Sequence, residues 1–322
     1  MKAAVIRSLD HPPRCESFLD PVAEDGEILV HVRAAAVHPV VKAMANGTHY
    51  GSYAHLPAVA GLDGAGRLED GTRVYFGTLR RPFGSIAEIA VASKSFCVPI
   101  PGALDDATAA AIVNPGMSSW LALKLRAAMV EGETVLVLGA TGAAGGLAVR
   151  IAKLLGAKRV IAAGRNSTIL EQLRGAGADE IVSLEQPVEP LIQAVRAAFA
   201  GGIDIVLDYL WGGPAECVLE ALTTKGIGHG SKRVRLVQVG NSAGLKISLA
   251  AASLRSSGLE LIGSGAGSVR IERVAEELAS LLDASARHNF RVDTEVVPLS
   301  QVEGAWNRDY AGKRLVIEIA PN

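Results

Sequence analysis

A glycine-rich turn between an apolar run and a helical pattern constrains this chain more than any other feature. Residues 134–138 form a short run rich in valine and leucine, and apolar residues recur at helical spacing from Leu147 until Gly156. Between them lie three spaced glycines: Gly139, Gly142 and Gly145. This order favours a phosphate cradle, because a helix start offers free N–H groups and glycine lets a pyrophosphate approach the backbone.

The chain that follows the turn alternates between strand and helix patterns, which favours the cradle over a tight turn that holds no ligand. The strand candidates are residues 134–138, 159–163, 203–207, 234–239 and 259–263. The helix candidates between and after them are residues 144–155, 168–175, 188–200 and 214–222. Such alternation predicts an α/β domain, a doubly wound parallel sheet covered by helices on both faces.

The first hundred residues show short alternating runs separated by Pro/Gly/His-containing loops, a pattern typical of a compact antiparallel β domain. After a last helix at about 270–286, strand patterns near 293–298 and 314–319 have no helix of their own. We therefore place the tail on the β-rich domain, which becomes discontinuous. The predicted boundaries are 1–112 with 287–322 for the β-rich domain, and 113–286 for the parallel-sheet domain.

Composition limits the partners and the compartment of the chain. Its 322 residues include 32 Lys and Arg and 33 Asp and Glu, mixed along the sequence, so nothing suits a nucleic acid. No apolar run reaches the ~18 residues of a membrane span, and the N-terminal run of four is too short for a signal peptide. Three widely separated cysteines fit reduced packing rather than metal binding, so we expect a cytoplasmic protein: Cys15, Cys97 and Cys217.

The end of the second parallel strand indicates which dinucleotide the chain would bind. In a dinucleotide fold, an acidic residue there holds the 2′-hydroxyl of the adenine ribose and disfavours a 2′-phosphate. Here the strand ends in Gly164, Arg165 and Asn166, without a carboxylate. An arginine offers a planar cation suited to phosphate, so we predict NADPH as the cofactor rather than NADH.

Four motifs, in this order and spacing, resemble the medium-chain dehydrogenase/reductase superfamily. The resemblance is to its zinc-free quinone oxidoreductase and enoyl reductase branch, which includes zeta-crystallin, and it covers nearly the whole chain. The motifs are Gly84-Ser85-Ile86-Ala87-Glu88, Ala109-Ala110-Ala111-Ile112 leading to Gly116-Met117-Ser118, the Gly139–Gly145 turn, and Gly312-Lys313-Arg314-Leu315-Val316.

The resemblance implies a GroES-like catalytic domain and a Rossmann domain, with nicotinamide and substrate in the cleft between them. It also implies a homodimer that pairs the last Rossmann strand, here Leu259–Gly263. Together with the glycine turn and the second-strand end, it assigns these cofactor-binding residues: Ser118, Gly139, Ala140, Thr141, Gly142, Ala143, Ala144, Gly145, Gly164, Arg165, Asn166, Val239, Gly240, Asn241 and Ser264.

The positions that match the catalytic zinc ligands of zinc-dependent relatives read His38, Leu62 and Asn114. Leucine cannot ligate zinc, and one histidine beside an asparagine makes no tetrahedral site. The four-cysteine structural zinc lobe is also absent from a chain with three cysteines. We therefore expect no metal.

Without a metal, substrates that spread negative charge by themselves are favoured: quinones, and alkenes conjugated to a carbonyl. The chain is predicted to be an NADPH-dependent oxidoreductase acting on such a small electrophile. Candidate catalytic donors are His38, Tyr50 and Tyr53, with His38 first because it replaces a residue that lies near the nicotinamide in the family. We expect Lys42 and Asp63 to be solvated or structural.

Two alternatives stay open. One is a metal-free NADPH-dependent ketone or aldehyde reductase that uses His38 in place of the metal. The other is a non-catalytic NADPH-binding sensor or structural protein, since the family's asparagine and the tyrosine after it are replaced in the His38–Ala43 segment.

Overall fold

The computed structural model describes residues 1–222, 232–265 and 267–319. Their strands, in chain order, are β1 (Lys2–Ile6), β2 (Arg14–Ser17), β3 (Glu27–Ala36), β4 (Ala58–Val59), β5 (Gly64–Arg67), β6 (Arg73–Phe76), β7 (Ile89–Ser93), β8 (Cys97–Pro99), β9 (Thr134–Leu138), β10 (Arg159–Gly164), β11 (Glu180–Ser183), β12 (Ile205–Asp208), β13 (Arg233–Gln238), β14 (Gly258–Gly263), β15 (Thr294–Pro298) and β16 (Arg314–Glu318).

The α-helices are α1 (Pro39–Ala45), α2 (Asp106–Leu121), α3 (Ala143–Leu154), α4 (Ser167–Gly175), α5 (Val188–Ala200), α6 (Gly212–Leu222), α7 (Ala251–Ser256), α8 (Ile271–Arg287) and α9 (Val302–Ala305). The chain divides into two compact units. The first unit comprises Met1–Asn114 and Ile271–Asn322, and the second comprises Pro115–Arg270.

The first unit is β-rich. A seven-stranded sheet has the order β15-β16-β3-β5-β6-β8, with β7 also paired to β3, and a three-stranded sheet has the order β2-β1-β4. Apart from the parallel pair β15 and β16, the strands pair antiparallel. The strand β16 from the tail pairs with β3 in this unit. Alternating apolar residues of these strands form its core, with Ile6, Val30 and Phe76 fully buried.

The second unit contains a six-stranded parallel sheet with the order β11-β10-β9-β12-β13-β14. Its central strands are buried on both faces, as their near-continuous valine and leucine content predicts. The order reverses direction at β9, which is the switch point of a doubly wound sheet. The predicted α/β class, with a Rossmann-like sheet and a separate β-rich part, is therefore confirmed.

Pro115 lies inside a helix: α2 continues through it and is followed by a π-helical turn at Ala122–Arg126. Buried side chains on both sides, such as Val113 and Trp120, hold the helix together although proline removes one hydrogen bond. In addition, α8 groups with the first unit, where it packs against β8, although the predicted boundary places it in the parallel-sheet domain. The functional division between the two predicted domains stays a prediction.

Candidate active site

The glycine turn follows β9 at the switch point of the parallel sheet. Gly139 has a φ of +94°, a backbone conformation that glycine adopts without strain. A Cβ atom on Gly145 would lie 2.2 Å from the carbonyl oxygen of Gly139, so only glycine lets α3 pack this closely on the turn. Two of the three glycines are thus required by the fold itself.

Gly142 is different, because its surroundings are open. A Cβ atom there would meet nothing closer than the Gly139 oxygen at 3.6 Å, and the residue is exposed. Gly142 is the N-cap of α3 and has no side chain to bond the N–H groups of the first turn. Those N–H groups, at residues 143–145, and the positive end of the helix dipole suit a diphosphate group.

The end of β10 brings the next predicted residues to the same edge of the sheet. Gly164 lies against Thr141, whose methyl group would be 2.4 Å from a Cβ atom at Gly164. Asn166 caps α4, because its side-chain oxygen accepts a hydrogen bond of 3.0 Å from the N–H of Ile169. Arg165 is exposed between them. The guanidinium is therefore available at the strand end, whereas the Asn166 oxygen is already used.

The remaining predicted coenzyme residues follow the ends of β13 and β14. The N–H groups of Val239 and Gly240 both donate to the carbonyl oxygen of Asp208, at 2.8 and 3.1 Å. The N–H of Ser264 donates to the Gln238 oxygen at 2.8 Å, while Asn241 is exposed. The carboxyl ends of β9, β10, β13 and β14 thus lie on one edge of one parallel sheet, where open α/β sheets bind their ligands.

Ser118 lies in the part of α2 that belongs to the second unit, and its hydroxyl forms a hydrogen bond with the hydroxyl of a tyrosine. Its hydroxyl donates to the carbonyl oxygen of Pro115 at 2.6 Å and lies 3.1 Å from the Tyr209 hydroxyl. Because a serine carries one hydroxyl hydrogen, Tyr209 must be the donor of the second bond, which leaves Ser118 a free acceptor lone pair. Burial raises the pKa of Tyr209 to about 12, so the donor keeps its proton.

The predicted catalytic residues belong to the first unit, and each has a different environment. His38 precedes α1 and is 1% exposed. Tyr50 is 86% exposed and stacks on His49, with ring centroids 4.0 Å apart. Tyr53 is buried and donates its hydroxyl hydrogen to the Val59 oxygen at 3.2 Å, under the guanidinium of Arg81. The hydroxyl hydrogen of Tyr53 is therefore already donated in a hydrogen bond within the first unit.

Asp63 is buried beside His38, with its Oδ1 3.5 Å from Nε2 of the imidazole. Its other oxygen accepts a hydrogen bond of 3.3 Å from the Asn114 amide. Burial, and secondly the charge of Asp63 and a hydrogen bond to it, raise the pKa of Tyr75 well above its usual range. Burial lowers the pKa of Arg314, and the charge of Asp63 opposes that shift.

Sequence reasoning missed Tyr209 altogether and treated Asp63 as solvated or structural. Asp63 is not solvated: it lies in a buried polar cluster with His38, Asn114 and Tyr75. The sequence around Tyr209 and around Asp63 gives only a weak indication of a functional residue. Tyr209 directly follows the apolar run of β12 and Asp63 directly precedes β5, and strand ends commonly carry functional residues.

A parallel sheet with an open glycine turn at its switch point, together with a separate antiparallel β-rich unit, defines a dinucleotide-binding protein of the two-domain dehydrogenase class. Three comparisons narrow this class. The family model described as "Zinc-binding dehydrogenase" matches residues 143–284. A probable NADPH-dependent quinone reductase of Emericella nidulans is 28% identical, over 95% of this chain and 93% of the relative.

A quinone oxidoreductase of Sus scrofa is 32% identical, but the match covers only 59% of this chain and 59% of the relative. The quinone oxidoreductase of Thermus thermophilus, solved also as its complex with NADPH, has a TM-score of 0.81 and 27% identity. That match covers 99% of this chain and 100% of the Thermus chain. Over nearly its whole length the chain is thus similar to quinone oxidoreductases, the branch of the medium-chain dehydrogenase/reductase superfamily that its motifs resemble.

Proposed function

We propose that this oxidoreductase uses NADPH to reduce a quinone or another conjugated, α,β-unsaturated carbonyl compound without zinc. The observation that carries the proposal is the open phosphate cradle at Gly142 in the second unit. The first unit, taken by itself, has a buried His38–Asp63 pair rather than a zinc ligand set, which supports a reaction without zinc. The relatives reported above are named quinone reductases, which supports the same substrate class.

NADPH is the coenzyme of this enzyme: the Emericella relative is named as dependent on it, and the Thermus structure was solved with it. The turn at residues 142–145 fits the diphosphate, since a Cβ atom at Gly142 would occupy open space. We assign the 2′-phosphate to Arg165, because a guanidinium forms charge-assisted hydrogen bonds to phosphate. When bound, NADPH supplies the hydride.

Zinc does not fit the residues at the position where zinc-dependent relatives hold it. Leu62 has no donor atom, Asn114 offers a weak amide oxygen, and only His38 is an ordinary zinc ligand. Within residues 1–222, 232–265 and 267–319 no three His, Cys, Asp or Glu side chains converge as a metal site. The donor set therefore supports a reaction without zinc.

The reaction that remains needs a proton and a place for negative charge. Two-electron reduction of a quinone or enone adds one hydride to carbon and one proton to the oxygen or to the neighbouring carbon. We assign that proton to His38, because histidine is the side chain that most often acts as a general acid in enzymes. In a conjugated substrate the electrons delocalise onto the carbonyl oxygen, so one hydrogen-bond donor can contribute about 3 kcal/mol without Lewis-acid help.

NADPH oxidation followed by absorbance tests the proposal with three electrophiles: an ortho-quinone, a 2-alkenal and a simple ketone. We expect turnover with the first or the second, and unchanged activity after chelation of purified enzyme that contains less than stoichiometric zinc. Turnover with the ketone alone would instead support a ketone reductase. Tight NADPH binding without turnover on any of the three would support a sensor.

We also propose a homodimer that forms through β14. This strand ends the six-stranded sheet and is paired with β13 on one side. Leu261 on it is 39% exposed, and an uncovered strand edge pairs readily with another strand.

The cytoplasmic location stays a prediction from cysteine usage. No helix among the described residues is long and apolar enough to cross a membrane.

A further inference from the structure

The imidazole of His38 is buried without a hydrogen-bond partner. The residue is 1% exposed, and neither Nδ1 nor Nε2 forms a hydrogen bond in the described part of the chain. Leaving a buried polar atom unpaired typically costs about 1–3 kcal/mol, so such atoms are usually kept for a purpose. The charged group that faces the ring is Asp63, 3.5 Å from Nε2.

The Asp63 carboxylate is held so that one oxygen is left for His38. Its Oδ2 accepts a hydrogen bond of 3.3 Å from the Asn114 amide, and burial, helped by the negative charge of the carboxylate, raises the pKa of Tyr75. Oδ1 is buried and has no hydrogen-bond partner among the described residues. The positive charge of Arg314 interacts with Asp63 and offsets the cost of burying an anion there.

We propose that Asp63 is the positioning residue that fixes the proton on Nε2 of His38, an inference that rests on the proposed function. A carboxylate only accepts hydrogen bonds, so a neutral ring beside it carries its hydrogen on Nε2 and a lone pair on Nδ1. When the ring takes up a second proton, that proton is on Nδ1, and the Asp63 charge stabilises the imidazolium. In the Ser-His-Asp triads of hydrolases, a buried aspartate likewise fixes the tautomer of a histidine and stabilises its imidazolium form.

The pair then defines the proton path of the reduction. The substrate receives the hydride at carbon, and the N–H bond at Nδ1 breaks as the proton passes to the product. His38 is left neutral with its hydrogen on Nε2, and a proton from water restores the imidazolium. Asp63 keeps its negative charge throughout, so it positions the ring and is not itself consumed.

Nitrogen NMR of the histidine rings tests the pair without any need for turnover. In the 15N-labelled full chain, the His38 signals are those lost in His38→Gln. We expect a protonated Nε2 and a bare Nδ1 in the neutral ring. In Asp63→Asn the Asn114 amide donor holds the new amide oxygen, so its NH2 group faces His38 and the ring hydrogen moves to Nδ1. A wild-type ring protonated on Nδ1 would overturn the proposal, even if Asp63→Asn does not fold.

Kinetics supply the second readout. Asp63→Asn should lower kcat about 100-fold, the lower end of what general acid–base catalysis contributes, with less than about a twofold change in KM for NADPH. The matched control Asp25→Asn, an exposed aspartate of the same unit, should change neither constant. An unchanged kcat in Asp63→Asn overturns the positioning role. A wild type that turns over no electrophile refutes the proposed function instead, while the ring spectrum still decides the position of the proton.

Discussion

A Cβ atom added to Gly145 would lie 2.2 Å from the carbonyl oxygen of Gly139, whereas a Cβ atom added to Gly142 would lie 3.6 Å from the same oxygen. One turn therefore contains two kinds of glycine. Gly145 is required for α3 to pack on the turn, and Gly142 leaves open the space in which we place the diphosphate. Substitutions at Gly142 and Gly145 can therefore test coenzyme binding and folding separately.

Gly142→Ala should fold and lose coenzyme. The new methyl group meets no atom of the chain closely, so the free energy of unfolding should fall by less than about 1 kcal/mol, the usual loss for alanine at an N-cap. The methyl group would occupy the approach of the diphosphate, so the Kd for NADPH should rise about tenfold or more. Calorimetric titration with NADPH and urea unfolding measure the two effects.

Two neighbouring glycines are the controls for that experiment. Gly145→Ala collides with backbone and should destabilise the chain by about 1–3 kcal/mol. Gly146→Ala, whose Cβ would be 3.7 Å from the nearest atom, should stabilise α3 by up to about 1 kcal/mol and leave NADPH binding unchanged. If Gly142→Ala binds NADPH as the wild type does, the diphosphate is not held at this turn.

Arg165→Ala should discriminate between the two nicotinamide coenzymes. Only NADPH carries the 2′-phosphate, and losing a charge-assisted hydrogen bond of about 1.4 kcal/mol corresponds to a tenfold weaker interaction. We expect KM for NADPH to rise about tenfold and KM for NADH to change less than about twofold. Arg174→Ala, an exposed arginine of α4, is the control. Equal effects of Arg165→Ala on both coenzymes would remove this arginine from phosphate recognition.

The sequence allowed the parallel sheet to be predicted because its signals are local. The strands at residues 134–138 and 159–163 are apolar runs followed by regular helices, and they appear in the structure within one residue. The strand β11 was missed, because Glu180–Ser183 contains only four residues, two of them polar. A run this short does not distinguish a strand from a loop.

The candidate site was only partly predictable, because its buried part depends on contacts distant in sequence. The glycine turn is one continuous motif, so its place between β9 and α3 could be predicted from spacing alone. By contrast, Asp63 meets His38, Tyr75 and Arg314 only through the antiparallel pairing of β3, β5, β6 and β16. Those residues are separated by up to 276 positions, so no local pattern could show that the carboxylate is buried.

Tyr209 should make the stability of the chain depend on alkaline pH. Its pKa of about 12 in the folded chain exceeds the usual value of about 10, so the folded state holds the proton more tightly. The stabilisation is complete below pH ~10 and is lost as the pH rises from ~10 to ~12, at most about 3 kcal/mol in total. Urea unfolding at pH 8 and pH ~11 should therefore show a smaller loss of stability for Tyr209→Phe than for wild type, by about 1 kcal/mol. The exposed Tyr50→Phe is the control, and a Tyr209→Phe profile equal to that of wild type would contradict the assignment.

Leu261→Lys should separate the two chains of the proposed dimer. A lysine on an edge strand opposes strand pairing, because its charge would be buried in the new sheet. Light scattering should give twice the chain mass for wild type and the single chain mass for this variant, with an unchanged circular dichroism spectrum. Val188→Lys, a substitution of an exposed valine on α5 (65% exposed), should remain dimeric. A monomeric wild type would refute the dimer, and a dimeric Leu261→Lys would place the interface away from β14.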